Sequence, residues 1–550
     1  MLPYSFHDFS SSLSPHTYNS FSKSYIFLTL EIVMYANYLW KMPDFSHENP
    51  VRPPSSESPP DFTWTPQISC YNDPFKFPSM VQKFSTSASH GFKLIQTISR
   101  DEDSHTGWQP HVSGSIILRR SSDSSSPRLE VDVISNDRDV GVDLDIQESG
   151  VYKLVSPRKV AWARSSYGPC IQIRATLWLP NAAKLRAFEI DAVHLDIVLT
   201  DGLSFATQDG VQISTVVGDV TAPKSGSGEP YISPYQMLSR ETRIRTVSGD
   251  IRGEYFLYDL LKIESVSGDI KVDIEPKTAD GKNPRSATLQ IETASGGIQA
   301  HEPLSQALSL GKPEIVIPAR DYVSKISTYS GDLDIALAVS SSTIVSTKSG
   351  KIQLELLPIL NAKLLESSSS QKPSLKTETF SGDTKVVLHD PIWTSIAGSD
   401  VHEKEPRWKF TWPPSGDAED WVPFDERDPY VIIHPHDIDK NINMAPSPSA
   451  DYINEKRGFS HIGEKHALSI LQSKHTSISG DINLIYSNQW EGSLRAQTMS
   501  GTLKIHGDGL ETSRLGRFPT VIEGHKGDGH SSLIVETTSG DQYIMIGHKA

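Results

Sequence analysis

The chain has 550 residues, of which 37% are hydrophobic, and a formal net charge of −15. The apolar content is enough for a large core, and the acidic excess disfavours binding to nucleic-acid backbones or to anionic membrane surfaces. Two cysteines, Cys70 and Cys170, cannot build the dense disulfide framework of a small secreted domain. We expect two unpaired thiols, and a single bridge remains the alternative.

Residues 1–65 are rich in serine and proline and are predicted to be disordered, because they have little to bury. Within them the apolar segment 25–40 is shorter than the roughly 20 residues that a membrane helix needs, and it carries Glu31. It is a weak candidate for a membrane anchor or a signal segment. A start at Met42 instead of Met1 is an alternative, and the compartment, cytoplasmic or cell-surface, stays undecided.

Short runs rich in β-branched residues follow, and they predict a β-rich N-terminal part and cap over residues 66–200. Patterns typical of long amphipathic helices are scarce. The predicted strands are Val112–Leu118, Leu129–Ile134, Val140–Ile146 and Ile171–Leu179.

A five-residue motif, Thr/Ser-x-Ser-Gly-Asp or a close variant, then recurs ten times. The shortest spacings between its glycines are 19, 19 and 21 residues, and the other spacings are longer. A unit of near-constant minimum length with variable insertions is typical of a solenoid whose loops leave from one side. The copies that keep both glycine and aspartate are Gly218-Asp219, Gly249-Asp250, Gly268-Asp269, Gly331-Asp332, Gly382-Asp383, Gly480-Asp481 and Gly540-Asp541.

The residues on both sides of the motif alternate between apolar and polar, as strands do. After Gly268, for example, alternation places Ile270, Val272 and Ile274 on one face and Lys271 on the other. Each unit is therefore predicted to be a strand, a Ser-Gly-Asp corner and a second strand. We expect glycine to supply a positive φ at the corner, and aspartate and serine to bond nearby backbone groups of the turn.

Two arrangements of these units are open, stacked parallel rungs and an antiparallel meander with Gly-Asp hairpin turns. Stacking is favoured because it brings identical residues above one another, about 4.8 Å apart, which explains why every unit repeats Thr-x-Ser. The predicted fold is all-β, a single-stranded parallel β-helix or β-solenoid with a strand-rich N-terminal cap and a disordered N-terminus. Its repeats occupy residues 201–388 and 467–550.

The column of corner aspartates raises the question of Ca²⁺ binding. The aspartate is replaced at Gly297, Lys351 and Thr502, and the dense nine-residue repeat of calcium-binding β-rolls is absent. We therefore expect turn-forming aspartates, with no metal and no cofactor. Catalytic motifs such as a P-loop, GxSxG or HExxH are also missing from the sequence.

The segment 389–466 interrupts the repeats and separates Gly382 from Gly480 by 98 residues. We expect it to be a surface loop that leaves the stack and returns to it, so that the rungs on its two sides are neighbours. Recognition commonly resides in loops on a rigid scaffold, which makes this segment the candidate binding loop. Its tryptophans are Trp393, Trp408, Trp412 and Trp421.

The repeats, together with the entry segments Ile171–Pro180 and Leu185–Ile197, resemble the putative-adhesin family, a domain of unknown function found in bacteria and fungi. The resemblance covers roughly residues 130–548. It implies a β-solenoid without catalytic residues, and so a non-enzymatic interaction or adhesion module for a protein or glycan ligand. The alternative is a carbohydrate-active β-helix enzyme, a polysaccharide lyase or hydrolase, which would need converging carboxylates.

Overall fold

The computed structural model describes residues 63–65, 70, 74–99, 107–121, 127–147, 150–161, 168–224, 235–279, 285–310, 315–360, 372–393, 468 and 470–547. The N-terminal region predicted to be disordered, apart from residues 63–65, and the apolar segment 25–40 lie outside this part of the chain. Within it, no helix is long and apolar enough to cross a membrane.

The described residues form β-strands and one short helix, α1 (Leu304–Ser309). The strands are β1 (Phe75–Lys76), β2 (Met80–Lys83), β3 (Phe92–Ile98), β4 (His111–Arg120), β5 (Arg128–Ser135), β6 (Asp143–Gln147), β7 (Val151–Ser156), β8 (Cys170–Leu179), β9 (Ala183–Ala192), β10 (Asp196–Leu199), β11 (Ser204–Thr215), β12 (Val220–Thr221), β13 (Gln236–Leu238), β14 (Glu241–Arg245), β15 (Ile251–Leu257), β16 (Leu260–Ser265), β17 (Ile270–Pro276), β18 (Ala287–Ser295), β19 (Ile298–His301), β20 (Tyr322–Ser330), β21 (Leu333–Val339), β22 (Ser342–Ser349), β23 (Ile352–Leu360), β24 (Ser374–Ser381), β25 (Thr384–Leu388), β26 (Ile392–Trp393), β27 (Gln472–Ser479), β28 (Ile482–Tyr486), β29 (Gly492–Ser500), β30 (Leu503–Gly507), β31 (Glu511–Arg517), β32 (Thr520–Lys526), β33 (Ser531–Ser539) and β34 (Gln542–Ile546).

Most of these strands belong to two large sheets, so the described part is all-β as predicted. From β14 to β25 the chain alternates between the sheets. Sheet 1 holds β14, β16, β18, β20, β22 and β24. Sheet 2 holds β15, β17, β19, β21, β23 and β25. We call one strand of sheet 1, the following corner and the next strand of sheet 2 a rung.

Between β14 and β25, neighbouring strands within each sheet are parallel and keep the repeat in register. Thr328, Thr347 and Thr379 lie opposite one another on β20, β22 and β24. The strands on either side of a corner instead lie in different sheets, so Gly-Asp does not form the hairpin turn of the meander alternative. The period-two pattern therefore sets which side chains face inward, while the repeated corner sets the register.

The inward faces of the two sheets bury the apolar residues that alternation selects. Ile270, Val272 and Ile274 are buried as predicted, and Lys271 between them is exposed. Burying an aliphatic side chain of this size contributes about 1.5–3 kcal/mol relative to leaving it in water. Each rung adds several such residues to one continuous core.

The N-terminal part contains the four predicted strands as β4, β5, β6 and β8, with β6 beginning at Asp143 instead of Val140. In sheet 2, β8, β4 and β10 are parallel, and β5 adds to β8 in antiparallel orientation. In sheet 1, β7, β3 and β9 are parallel, and β6 forms an antiparallel edge on β7. This part thus begins both sheets with mixed strand directions and passes into the all-parallel rungs.

Cys70 and Cys170 form a disulfide, with their Cα atoms 6.0 Å apart, so the expectation of two unpaired thiols was wrong. The two cysteines are 100 residues apart in the chain. A parallel bridge between Cys70 and Gly168 places Cys70 beside the start of β8, where Cys170 lies. This proximity arises from strand pairing, and it cannot be predicted from the spacing of the cysteines in the sequence.

The strands on the two sides of the long insertion pair directly with each other, as predicted. Strand β24 pairs with β27 and β25 pairs with β28, so Ser381 lies opposite Ser479 across the long insertion. Residues 394–467 are outside the described residues. The rungs before and after the insertion are therefore direct neighbours.

The last three rungs do not stack in chain order. Strand β33 lies between β27 and β29 in sheet 1, and β34 lies between β28 and β30 in sheet 2. The final rung of the chain is thus inserted between the two rungs that precede it. An antiparallel pair, β32 and β31, covers the outer edge of β29.

Candidate functional site

The corner glycines form a column in which successive backbones touch. A Cβ atom added to Gly268 would lie 1.9 Å from the carbonyl oxygen of Gly249, and one added to Gly249 would lie 1.9 Å from that of Gly218. Gly382 and Gly480 have positive φ values of 142° and 146°, but Gly268 is not among the glycines with positive φ. Close approach of the neighbouring rung, and not the predicted positive φ, is therefore the requirement for glycine at Gly268.

The corner aspartates form a ladder between rungs. Asp219 Oδ1 accepts the N–H of Asp250 at 2.8 Å, and Asp250 Oδ1 accepts the N–H of Asp269 at 2.8 Å. Further along the stack, Asp481 Oδ1 accepts the N–H of Asp541 at 2.8 Å. The carboxylates thus bond the corresponding residue of the adjacent rung, whereas the sequence predicted bonds within their own turn.

Asp196 extends this ladder beyond the recognised repeats, because its Oδ1 accepts the N–H of Asp219 at 2.9 Å. It lies in a corner without the Ser-Gly pair, which is why the motif did not reveal it. Burial raises the pKa of Asp196. At Asp269, burial acts in the same direction, but the N–H of Gly297 and the ammonium of Lys271 outweigh it and lower the pKa.

The ladder uses its carboxylates for backbone and side-chain contacts. Asp250 pairs with Arg252, and Asp269 Oδ2 lies 3.2 Å from Lys271 Nζ. Among the described residues no group of three or more His, Cys, Asp or Glu side chains is arranged to hold a metal ion. The arrangement stabilises the stack and presents a row of partly exposed carboxylates along it.

The first Thr or Ser of each motif is buried, and in several copies its hydroxyl bonds backbone groups of the corner. Thr246 Oγ1 donates to the carbonyl oxygen of Gly249 at 2.6 Å, and Thr347 Oγ1 donates to that of Gly331 at 3.2 Å. Ser265 Oγ accepts the N–H of Gly268 at 2.9 Å. A short hydroxyl side chain at this position satisfies corner backbone groups that the sheets leave unpaired.

The second position of the motif points outward and forms a row that we call the corner ridge. In stack order the ridge consists of Tyr329, Lys348, Phe380, Ile478, Thr538 and Met499. Its four large apolar side chains are 45–59% exposed, and Lys348 Nζ lies 4.5 Å from the centre of the Tyr329 ring. Neighbouring strands place these side chains about 4.8 Å apart.

Sequence analysis did not identify the corner ridge, although a signal was present. The second motif position is apolar in eight of the ten copies, which a solvated strand face does not require. The serines that follow it, Ser330, Ser349, Ser381, Ser479, Ser539 and Ser500, are also exposed. The corner thus carries a mainly apolar row, a hydroxyl row and an interrupted carboxylate row side by side.

A groove of about 350 Å³ lies on the outer face of sheet 2, beside α1. Polar side chains that line it include His301, Asp334, Glu355 and Lys385. His301 Nε2 lies 3.5 Å from Asp334 Oδ2. His389 Nε2 lies 2.7 Å from Glu355 Oε1. Titratable groups therefore converge here, outside the repeat motif.

Glu302 is the buried member of this groove. Its Oε2 accepts the N–H of Ala338 at 2.6 Å, beyond the point where β19 ends at His301. Burial raises the pKa of Glu302 to about 8, against the opposing effect of that hydrogen bond, so the protonated form is favoured at neutral pH. The sequence signal was a glutamate at an inward position, two residues after buried Ala300.

The predicted binding loop lies largely beyond the described residues. Trp408, Trp412 and Trp421 are outside them, and only the main chain of Trp393 is described, in β26 paired with β23. The candidate binding residues that the structure brings together are therefore those of the corner ridge and of the groove.

No protein-family model and no curated protein matches this chain. A putative adhesin from Parabacteroides merdae is 11% identical, and the match covers 57% of this chain and 91% of that one with a TM-score of 0.23. A putative adhesin from Parabacteroides distasonis is 11% identical over 58% and 92% of the two chains, with a TM-score of 0.24. A putative lipid binding protein from the same species is 12% identical over 57% and 92%, with a TM-score of 0.22. These values record a distant similarity and assign no family.

Proposed function

We propose that this chain is a non-enzymatic, adhesin-like interaction module built on a single-stranded parallel β-solenoid. Support for the solenoid comes from the alternation of consecutive strands between two sheets and from the parallel, in-register pairing within each sheet. Such a stack is a rigid scaffold that presents equivalent side chains at a constant spacing.

The observation that carries this proposal is the corner ridge. Four of the six ridge positions carry large exposed apolar side chains, and Phe380 and Ile478 are direct neighbours in the stack. Clustered exposure of this kind marks an interaction surface more often than single scattered apolar residues do. We assign it an uncharged glycan chain as ligand. Sugar rings have apolar faces that pack on Tyr329 and Phe380, and their hydroxyls match the adjacent serine and aspartate rows. The net charge of −15 disfavours an anionic polymer.

Binding of the intact chain to an array of neutral and anionic glycans tests this function. Phe380→Ser and Tyr329→Ser should each reduce binding to neutral glycans about tenfold. Ile344→Ser is the matched control, because Ile344 is an exposed apolar residue of β22 outside the ridge. Failure of the unsubstituted chain to bind any glycan, or equal losses for ridge and control variants, would refute the assignment. Capture of a protein ligand that ridge variants abolish would overturn the glycan class.

A second candidate function is that of a carbohydrate-active enzyme, and the groove beside α1 favours it. Burial raises the pKa of Glu302 to about 8, which favours the protonated form that a general acid requires, and Asp334 and Glu355 supply carboxylates in the same groove. A polysaccharide-degradation screen decides between the two. Turnover that Glu302→Gln abolishes and Lys271→Thr leaves intact would establish the enzyme, and absence of turnover on every polysaccharide that binds would exclude it.

A further inference from the structure

The position of the final rung suggests a second property of the molecule that does not depend on the proposed ligand. We call Ser531–Ile546 the C-terminal rung and Gly492–Gly507 the preceding rung. The C-terminal rung fills a slot between the preceding rung and the rung of β27 and β28. It must therefore enter between two elements that come before it in the chain.

The two walls of this slot are in register with each other. Thr537 lies opposite Ser477 on one side and opposite Thr498 on the other. Gln542 likewise lies between Ile482 and Leu503 in sheet 2. If the C-terminal rung left, β29 could pair with β27 in the same register. The apolar side chains of the two walls would then pack against each other and stay buried.

The aspartate ladder allows the same exchange of neighbours. In the occupied slot, Asp481 Oδ1 accepts the N–H of Asp541 at 2.8 Å, and Asp541 Oδ1 accepts the N–H of Thr502 at 2.7 Å. Without the C-terminal rung, Asp481 would stand next to Thr502 and could accept its N–H directly. Release therefore leaves neither the carboxylate nor the amide without a partner.

The connection to the C-terminal rung has the form of a hinge. Strand β32 stays attached to the outer edge of β29, and Lys526 Nζ at its end donates to the carbonyl oxygen of Asn488 at 2.7 Å. The next residues cross the main chain at Glu491, where a Cβ on Gly529 would lie 2.4 Å from the Glu491 carbonyl oxygen. Gly527 has a φ of 63°. Two glycines thus let the chain reverse from one edge of β29 to the other.

We propose that the C-terminal rung is exchangeable and that a second copy of this chain donates its own C-terminal rung to the slot. Reciprocal exchange between two copies would preserve every contact of the rung, including the burial of Leu533, Val535, Ile544 and Ile546. Such exchange of identical elements is a low-cost route to a closed dimer. The partner is thus another molecule of the same sequence.

Cysteine pairs across β28 and β34 test this directly. Ile485 and Met545 lie opposite each other and are half-buried on the outer face. The full chain carrying both Ile485→Cys and Met545→Cys should form a cross-link within one molecule. A mixture of two chains, one with Ile485→Cys and the other with Met545→Cys, can cross-link only after exchange.

The mixture is unfolded and refolded together at several concentrations and then examined on non-reducing gels. We expect a covalent heterodimer whose fraction rises with concentration and exceeds at least tenfold that of a control mixture of Met545→Cys with exposed Lys271→Cys. If the double variant cross-links internally but the mixture gives no more heterodimer than the control, exchange is refuted. If the double variant does not cross-link, the inserted position of the rung is itself wrong.

Discussion

Replacing Asp250 with alanine removes one step of the aspartate ladder and leaves the others in place. The substitution deletes the acceptor of the Asp269 N–H, a hydrogen bond of 2.8 Å, while the N–H of residue 250 keeps Asp219 as its partner. A hydrogen bond to a charged group contributes about 1.5–3 kcal/mol. The lost ion pair with Arg252 is partly exposed, with side-chain exposures of 39% and 22%, and adds at most about 1 kcal/mol. We expect a destabilisation of about 2–3 kcal/mol.

Asp250→Asn keeps a side-chain oxygen acceptor without the charge, so it should recover about half of this loss. Asp273→Ala is the matched control. Asp273 lies on the outer face of β17, the neighbour of β15 in sheet 2, and pairs with Lys224 at 2.8 Å. The two side chains are 44% and 62% exposed. Its loss should cost less than about 1 kcal/mol.

The assay is urea unfolding followed by far-UV circular dichroism, together with hydrogen exchange of the peptide that contains Asp269. Exchange is included because stacked repeats open locally as well as globally. Equal effects of Asp250→Ala and Asp273→Ala on both measurements would refute the ladder as a source of stability. An effect on the unfolding midpoint without faster exchange at Asp269 would place the loss elsewhere.

Three further predictions follow from the core, the corner and the N-terminal part. Gly268→Val should lower the free energy of unfolding by at least about 3 kcal/mol, because the added Cβ would lie 1.9 Å from a carbonyl oxygen. Lys271→Thr, on the exposed face, should leave it nearly unchanged, and thermal unfolding of both variants measures the difference. Burial lowers the pKa of His475 to about 3. Below pH 6.5 the imidazole is therefore protonated in the unfolded chain but stays neutral in the folded one. Stability should therefore fall by about 1.4 kcal/mol per pH unit as pH drops below 6.5, and His475→Gln should remove this part of the slope in urea titrations at pH 7 and pH 5. Replacing Cys70 and Cys170 with serine should lower stability by about 2–4 kcal/mol under oxidising conditions and have little effect under reducing ones, where both proteins lack the bridge.

The sequence predicted the features that depend on local periodicity. Alternation around Gly268 identified the buried and exposed residues of β17, and the shared motif predicted that Ser381 and Ser479 would be neighbours across the insertion. Both follow because a one-residue slip would turn every apolar side chain outward, so the pattern permits a single register.

The spatial order of the rungs could not be predicted from local periodicity. The motifs at Gly480, Gly501 and Gly540 are nearly interchangeable, so local pattern cannot tell chain order from the observed order, in which Gly540 lies between the other two. The bridge between Cys70 and Cys170 was missed for a related reason, since it depends on strand pairing in the N-terminal part.

The sequence predicted where the corner residues lie but not which residues they contact. Sequence analysis placed glycine and aspartate at the corners, but the contact that requires Gly268 and the partner of Asp250 both lie in the adjacent rung. The corner ridge and Glu302 were visible only as an apolar position and an inward acidic position. Neither has a meaning until the sheets define an outside and a groove.

The interruptions of the aspartate ladder also determine how the stack would respond to a pulling force along its axis. Asp269 and Asp332 each accept the N–H of the next corner, but the residues that donate it, Gly297 and Lys351, carry no carboxylate to continue the ladder. The ladder therefore consists of separate runs, joined at these two positions by sheet hydrogen bonds and core contacts. A molecule under tension should part first at those joints, so the stack would extend in blocks of several rungs.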